Sequence, residues 1–336
     1  MTVQLGALDD HGQPVDWWFM YKLPKHARPA PGSGSDAPPT TGYEYLYYDP
    51  RSAALTLSPS RLDQPANALR ATLGQIYDSP ADSFAWLFYN DEFPLELQKG
   101  NDSRKAHAKG LLAFDTASDS AFWLSHSIPR FPSPSSDDFP ADELVYGQTL
   151  LCITLHDVAT AETIAGQMLA QHGPQTYGAR LPASLPASSV WHDLVAERFS
   201  LSATPSDVAF SSRAGAAFRS IAKSRLWGQD LWTDLVGPAL GCDLDVESWR
   251  RGAIPAAEDS DQQHDVVDAL TIDLQPLGVP YAWQNAKDHA KWAATLGGND
   301  DWVCVADINR QVSQSKRGGG AICFRESRLW AALSQI

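Results

Sequence analysis

His107-Ala108-Lys109 and His289-Ala290-Lys291 are the same three residues written twice, 182 positions apart in a chain of 336. Nine histidines and nine lysines in this length would give roughly 0.24 accidental His-x-Lys matches, so one pair alone carries little weight and two carry more. The residues downstream of each pair add to that weight. The first pair leads to Phe122-Trp123-Leu124-Ser125-His126-Ser127-Ile128-Pro129, the second to Trp302-Val303-Cys304-Val305-Ala306-Asp307-Ile308-Asn309. Both read as an aromatic-led strand ending in polar residues. Superposed, they lay Ser127 on Asp307 and Pro129 on Asn309, and the spacing predicts a duplication.

Worked outward, the chain reads as alternating strands and helices. Apolar runs predict strands over Trp17 to Tyr21, Gly42 to Tyr48, Phe84 to Tyr89, Gly110 to Phe114, Ala121 to Ser125 and Leu150 to Leu155. Leu69 to Tyr77 is amphipathic and helix-like. In the second half, Val208 to Lys223 and Leu231 to Leu240 read as helix or strand. Val266 to Leu274 and Trp302 to Ala306 read as strands, and Ala321 to Phe324 closes the sheet. The Pro-, Gly- and Ser-rich run Ala27 to Thr41 predicts a solvated loop, as do Pro132 to Pro140 and Pro255 to Gln263. Leu181-Pro182-Ala183-Ser184-Leu185-Pro186 is the linker candidate, dividing a half over 1–180 from one over 190–336. The predicted fold is α/β: two similar halves, each a mixed β-sheet flanked by helices, with one shared active site.

No run approaches the roughly 20 apolar residues of a membrane span. Met1-Thr2-Val3-Gln4-Leu5 lacks the basic and apolar regions of a secretory leader, which leaves secreted, periplasmic and cytoplasmic locations open. A formal charge of −14 opposes non-specific attraction to a polyanion, so a nucleic-acid substrate needs a local basic lining. Charging all nine histidines in mild acid would bring that charge to −5. The four cysteines show no zinc-type spacing, and neither a metal nor a cofactor is expected.

In a strand, side chains at i and i+2 share a face, so His and Lys of each pair can address one phosphate. Cleaving a phosphodiester needs a nucleophile, neutralisation of the phosphoryl oxygens and a proton for the leaving alkoxide. A neutral imidazole can attack phosphorus, two ammonium groups can hold the oxygens, and a second, protonated imidazole can supply the proton. His107, Lys109, His289 and Lys291 are the catalytic candidates, with Ser127, Asp307 and Asn309 in support. The two imidazoles must hold opposite protonation states, which predicts a bell-shaped pH profile.

These residues resemble the deoxyribonuclease II family, a branch of the phospholipase D-like fold. The matching segments are Gly12 to Trp17, Tyr21 to Pro24, Tyr89-Asn90-Asp91, His107 to Gly110, Phe122-Trp123-Leu124 with His126-Ser127, Tyr146 to Cys152, Asp288 to Trp292, and Asp307 to Arg310 with Arg317 to Gly320. They cover roughly residues 10 to 330. The resemblance implies two pseudo-symmetric phospholipase D-like halves and an endonuclease that cuts double-stranded DNA in mild acid, without a divalent cation, leaving 3′-phosphate ends. It also implies a homodimer clamped around DNA. It points to His107 as attacker and His289 as acid, an order the residues themselves leave open. The wider fold places an Asp five residues after the Lys, where this chain has Phe114 and Leu296; Asp115 and Asp16 are the substitutes considered. The resemblance pairs Cys304 with Cys323 and leaves Cys152 and Cys242 as thiols.

Lys22, Arg104, Lys105, Arg310, Lys316 and Arg317 are the DNA-binding candidates. Lys22 and Lys223 each follow an aromatic-containing run and read either as equivalents in the duplication or as solvated strand ends. His126 reads equally as lining the site or packing under it. His11, His26, His156, His172, His192 and His264 read as structural. Gly318-Gly319-Gly320 reads as a turn between strands that permits close backbone approach. Two rival functions share the residue pattern: a phospholipase-type phosphodiesterase acting on lipid head groups, and a catalytically silent DNA-binding clamp.

Overall fold

The structure, a computed structural model, describes residues 4–336 except 78–81, 98–101, 251, 254, 256–263 and 298–299. Met1 to Val3 and almost all of the loop expected at 255–263 therefore lie outside the described residues.

Ten strands carry the architecture: β1 Trp17–Lys22, β2 Phe84–Tyr89, β3 Gly110–Asp115, β4 Ser120–His126, β5 Gln148–Leu155, β6 Ala217–Lys223, β7 Leu244–Ser248, β8 Lys291–Thr295, β9 Trp302–Ala306 and β10 Gly319–Arg325. In one sheet they run β2-β3-β4-β5-β1, with Thr176–Arg180 outside β2 and Tyr45–Tyr48 and Thr56–Leu57 outside β1. In the other they run β7-β8-β9-β10-β6, with Val266–Asp268 outside β7 and Ser206–Ser211 outside β6.

The first sheet is antiparallel throughout. In the second, Val266–Asp268 runs parallel to β7 and every other pairing is antiparallel. The expectation of two mixed sheets is thus corrected for the first. Short connections such as 116–119 between β3 and β4 form hairpins and leave no length for a crossover helix.

Most strand positions are buried on both faces, because the sheets pack on one another and each is covered outside. Trp17 of β1 meets Phe218 and Phe324 of the second sheet at 6.2 and 5.0 Å between ring centroids. Leu69, Leu73 and Ile76 of the helix Ala68–Tyr77 cover the outer face of the first sheet with Trp18, Met20, Phe122 and Leu150. Trp232 and Val236 cover the outer face of the second with Ile221, Val246 and Ala293.

Several elements depart from the sequence reading. Val208 to Lys223 is a hairpin, Ser206–Ser211 against β6, turned at Gly215 with φ 92°, a region that favours glycine. Val266 to Leu274 is split between sheets: Thr271–Asp273 leaves to pair with Tyr281–Gln284, which in turn pairs with Arg28–Pro29. The start of the expected loop 27–41 is therefore tied into a three-stranded sheet. β10 lies between β6 and β9 and does not close the sheet. Gly319 and Gly320 belong to that strand, so the expected glycine turn is absent, while the close approach is present. A Cβ on Gly318 would lie 2.3 Å from the His172 carbonyl oxygen.

Cys304 and Cys323 face each other on β9 and β10 and are disulfide-bonded; Cys152 and Cys242 are buried thiols.

Candidate active site

Both His-x-Lys segments sit at the start of a strand, not within one: His107 to Lys109 leads into β3, and Lys291 is the first residue of β8. Each is anchored to the other sheet. The His107 amide donates to the Gly318 carbonyl at 3.0 Å, just before β10, and the His289 amide donates to the Gly147 carbonyl at 2.8 Å, just before β5. The Lys291 amide adds a bond to Thr149 Oγ1 at 3.2 Å. Glycine is required at 147, where a Cβ would lie 2.5 Å from Asp288 Oδ1. Asp288, fully buried, accepts from Tyr21 Oη, Trp283 Nε1 and the Ala290 amide, and so fixes the backbone before His289.

His107 Nδ1 lies 2.8 Å from the Asp307 carbonyl oxygen. A carbonyl only accepts, so Nδ1 carries a ring proton, and in the neutral imidazole Nε2 holds the lone pair. Nε2 is 3.5 Å from Asp91 Oδ2. Asp91 also pairs with the Lys109 ammonium and, at 3.2 Å, with Arg317, whose Nε donates to the Lys105 carbonyl at 2.8 Å. Burial, then Lys109, with Lys291 and Arg317 behind it, pushes the His107 imidazole well below its ordinary value against the pull of Asp91. Burial works to raise the Asp91 carboxyl, yet Lys109, His107 and Arg317 hold it well below the usual carboxylate range. Lys291 is pulled down to about 7 by burial and by Lys109. Its Nζ donates to the His289 carbonyl at 2.8 Å. The two segments thus feel one another's charge across the sheets.

His289 stacks on Tyr146 at 3.7 Å and leans against Trp249 at 4.2 Å. Its Nδ1 is 3.7 Å from Glu143 Oε2.

The remaining expected site residues divide. Asp307 receives His107 through its carbonyl, and its carboxylate accepts from the Gly320 amide at 3.0 Å with His172 Nδ1 at 3.4 Å. Ser127 donates to Gln148 Oε1 at 2.5 Å, and Gln148 Nε2 donates to Glu143 at 3.2 Å. Asn309 is buried. His126 packs under the site: it is buried, edge-on to Phe131 at 5.6 Å, and accepts the Ile128 amide on Nδ1. Burial and Lys109 push it down to about 3, so it is neutral.

Asp16 and Asp115 do not reach the imidazoles. Asp16 holds Ser212 and the Ala214 amide. Asp115 caps its own turn at Ser118, at the far end of β3, roughly 20 Å along the strand from Lys109.

Among the expected DNA-binding residues, Lys22 and Arg310 are corrected by their burial. Lys22 is fully buried, its ammonium spent on the carbonyls of Leu23, Glu143, Leu144 and Tyr146. Lys223 is likewise buried and caps the carbonyls of Gln314, Ser315 and Arg317. Neither is a solvated strand end. Arg310 is buried against Asp268. Lys316 is exposed, Arg104 is exposed and paired with Asp102, and Lys105 pairs with Glu197. Arg104 and Lys105 line a cavity of about 450 Å³ that reaches Gly318.

Replacing Lys22 by the similarly sized Met removes a buried charge but strips its carbonyls of their donor. The variant is expected to lose about 2 kcal/mol in urea unfolding. Stability equal to the parent would show that the ammonium is dispensable.

Sequence reading assigned no role to Asp91, Glu143, Tyr146 or Trp249. Asp91 and Tyr146 at least fall in segments that carried the family resemblance.

Imidazoles set beside buried ammonium and guanidinium groups form the equipment of phosphoryl-group chemistry. The sequence model of the family Deoxyribonuclease II matches residues 7–336. A Burkholderia pseudomallei (strain K96243) protein named "Putative deoxyribonuclease-2" is 46% identical over 328 residues, covering 97% of this chain and 91% of the relative. Deoxyribonuclease-2-alpha of Rattus norvegicus is 31% identical over 340 residues, covering 99% and 93%. Cell death-related nuclease 6 of Caenorhabditis elegans is 33% identical over 340 residues, covering 98% and 86%. The chain belongs to the deoxyribonuclease II family.

Proposed function

We propose that this chain hydrolyses double-stranded DNA as an acid endonuclease, without a metal ion, through a phosphohistidine at His107. On this reading the two sheets are the halves of a duplicated phospholipase D-like fold enclosing one catalytic centre. The matching strand orders support the duplication, as do the reciprocal bonds of His107 to Gly318 and of His289 to Gly147. So do Lys22 and Lys223, which cap equivalent carbonyls in the two halves.

The observation that carries the chemistry is the state of His107. Its Nδ1 proton is bound to a carbonyl, its Nε2 faces Asp91, which gathers Lys109 and Arg317 beside the ring, and burial together with those cations favours the unprotonated imidazole. Nε2 attacks phosphorus, the P–O5′ bond breaks, and His289 gives its proton to the departing 5′ oxygen. Water then attacks the phosphohistidine, His289 takes the water's proton, and the P–N bond breaks to leave a 3′-phosphate. The side of cleavage and the preference for duplex rest on the family. Lys109 and Lys291 supply the positive charge that a metal supplies in other phosphodiesterases, and Arg104, Lys105, Lys316 and Arg317 are assigned to the DNA backbone.

Plasmid incubated in EDTA across pH 4 to 8, beside phosphatidylcholine, tests this. Nicking that EDTA leaves unchanged is the expected result. Lipid turnover alone, or DNA retained uncut, would overturn it in favour of a phospholipase or a silent clamp.

A further inference from the structure

Glu143 is a buried acidic group that faces the second motif's imidazole, as Asp91 faces the first. It lies in a short helical turn, Ala141–Val145, and only 2% of it is exposed. Arg130 donates to its Oε1 at 2.6 Å and Gln148 to its Oε2 at 3.2 Å, and Gln148 is itself held by Ser127 at 2.5 Å. This chain of bonds fixes the carboxylate with Oε2 directed at His289 Nδ1, 3.7 Å away and within ion-pair range. The ring between them cannot swing aside, since Tyr146 lies flat against one side at an interplanar angle of 12° and Trp249 leans on it at 59°. An imidazolium gains from both arrangements, from the anion at its edge and from the aromatic faces along its plane.

We infer that Glu143 is the positioning residue that keeps His289 in its proton-donating form, with Tyr146 and Trp249 as the clamp that aims Nε2 at the leaving oxygen. The inference rests on His289 being the proton donor of the proposed reaction. Other charges bear on the ring. Lys291 bonds to the His289 carbonyl, Lys22 reaches the Tyr146 carbonyl, and Arg130 with Asp142 and Glu92 stands behind Glu143. Asp288, next in the chain, turns its carboxylate away to Tyr21 and Trp283. Among the described residues, Glu143 is thus a carboxylate directed at this ring. Burial pushes the Glu143 carboxyl up to about 7, against the pull of Arg130. The proton that leaves from Nε2 is balanced by this partnership at Nδ1.

Glu143→Gln keeps the shape and removes the charge. In protein labelled with ¹³C at the histidine Cε1 positions, the His289 signal is assigned by its loss in His289→Asn. Its titration midpoint is expected to fall by about one pH unit in the Gln variant and to recover in Glu143→Asp. DNA nicking should fall about ten-fold near neutral pH, with the loss shrinking toward acid, where His289 is protonated regardless. A midpoint that does not move, or a loss equal at every pH with unchanged near-UV dichroism, overturns the inference. Should His289→Ala still nick DNA, the proposed reaction fails instead, and the titration shift still reports on the pair.

Discussion

His107→Ala is expected to lower the rate of DNA nicking by about 10⁵-fold or more, and His289→Ala by about 10³-fold. The inequality comes from the roles. Without the nucleophile no covalent step exists, whereas without the acid the 5′ alkoxide must leave unprotonated. The difference becomes qualitative with thymidine 3′-(p-nitrophenyl phosphate), whose leaving group needs no proton. His289→Ala should then release a burst of p-nitrophenolate and stall as a phosphohistidine, because the group that accepts the water's proton in the second step is missing. His107→Ala should show neither burst nor adduct. Both folds should survive, because the amides of His107 and His289 still bond to Gly318 and Gly147, which equal unfolding midpoints would verify. An active His107→Ala enzyme, or an adduct on any other residue, would end the paired-histidine mechanism.

The recurrence of His-x-Lys was legible because the same letters stand at two places, and strand positions came from runs of apolar residues long enough to be buried on both faces. What was not legible depends on contacts between remote segments. Lys22 ends a strand with a charge, which in sequence looks solvated; the carbonyls that bury it come from Glu143, Leu144 and Tyr146, more than 120 positions on. Glu143 is one acidic residue in a Pro- and Asp-rich stretch, and nothing in its spacing points to His289, 146 positions away. Asp115 misleads in the opposite sense. It is six residues from Lys109, but in an extended strand six residues is roughly 20 Å, and the true neighbour of Lys109 is Asp91, on the segment that succeeds the paired strand β2.

Lys291→Ala is expected to cost about 10²- to 10³-fold in turnover, the range for losing one donor to the phosphoryl oxygens. In the parent enzyme the same loss should appear gradually with pH, because burial and Lys109 pull Lys291 down to about 7. Above that value the side chain sheds its proton and ceases to neutralise the phosphate, so activity falls from mild acid through neutrality, and part of the family's acid character would be built into a lysine. Stability should move the other way. Lys22 is held at about 7 and Lys223 at about 8, both chiefly by burial. Between those values and the ordinary lysine value of 10.5, the unfolded chain binds more protons than the folded one, so the contribution of the three lysines to unfolding free energy rises with pH across that window. For each of these lysines the cost of burying a charge is present in full below its folded value. Lys291→Met, which has no charge to bury, should flatten the Lys291 share of that rise and be stabilised in mild acid relative to the parent while losing activity there. Urea titrations at pH 6 and pH 9 decide the matter. If the parent is not destabilised relative to Lys291→Met at the lower pH, the ammonium is not buried at such cost, and the alkaline fall in activity must be assigned to His289 alone.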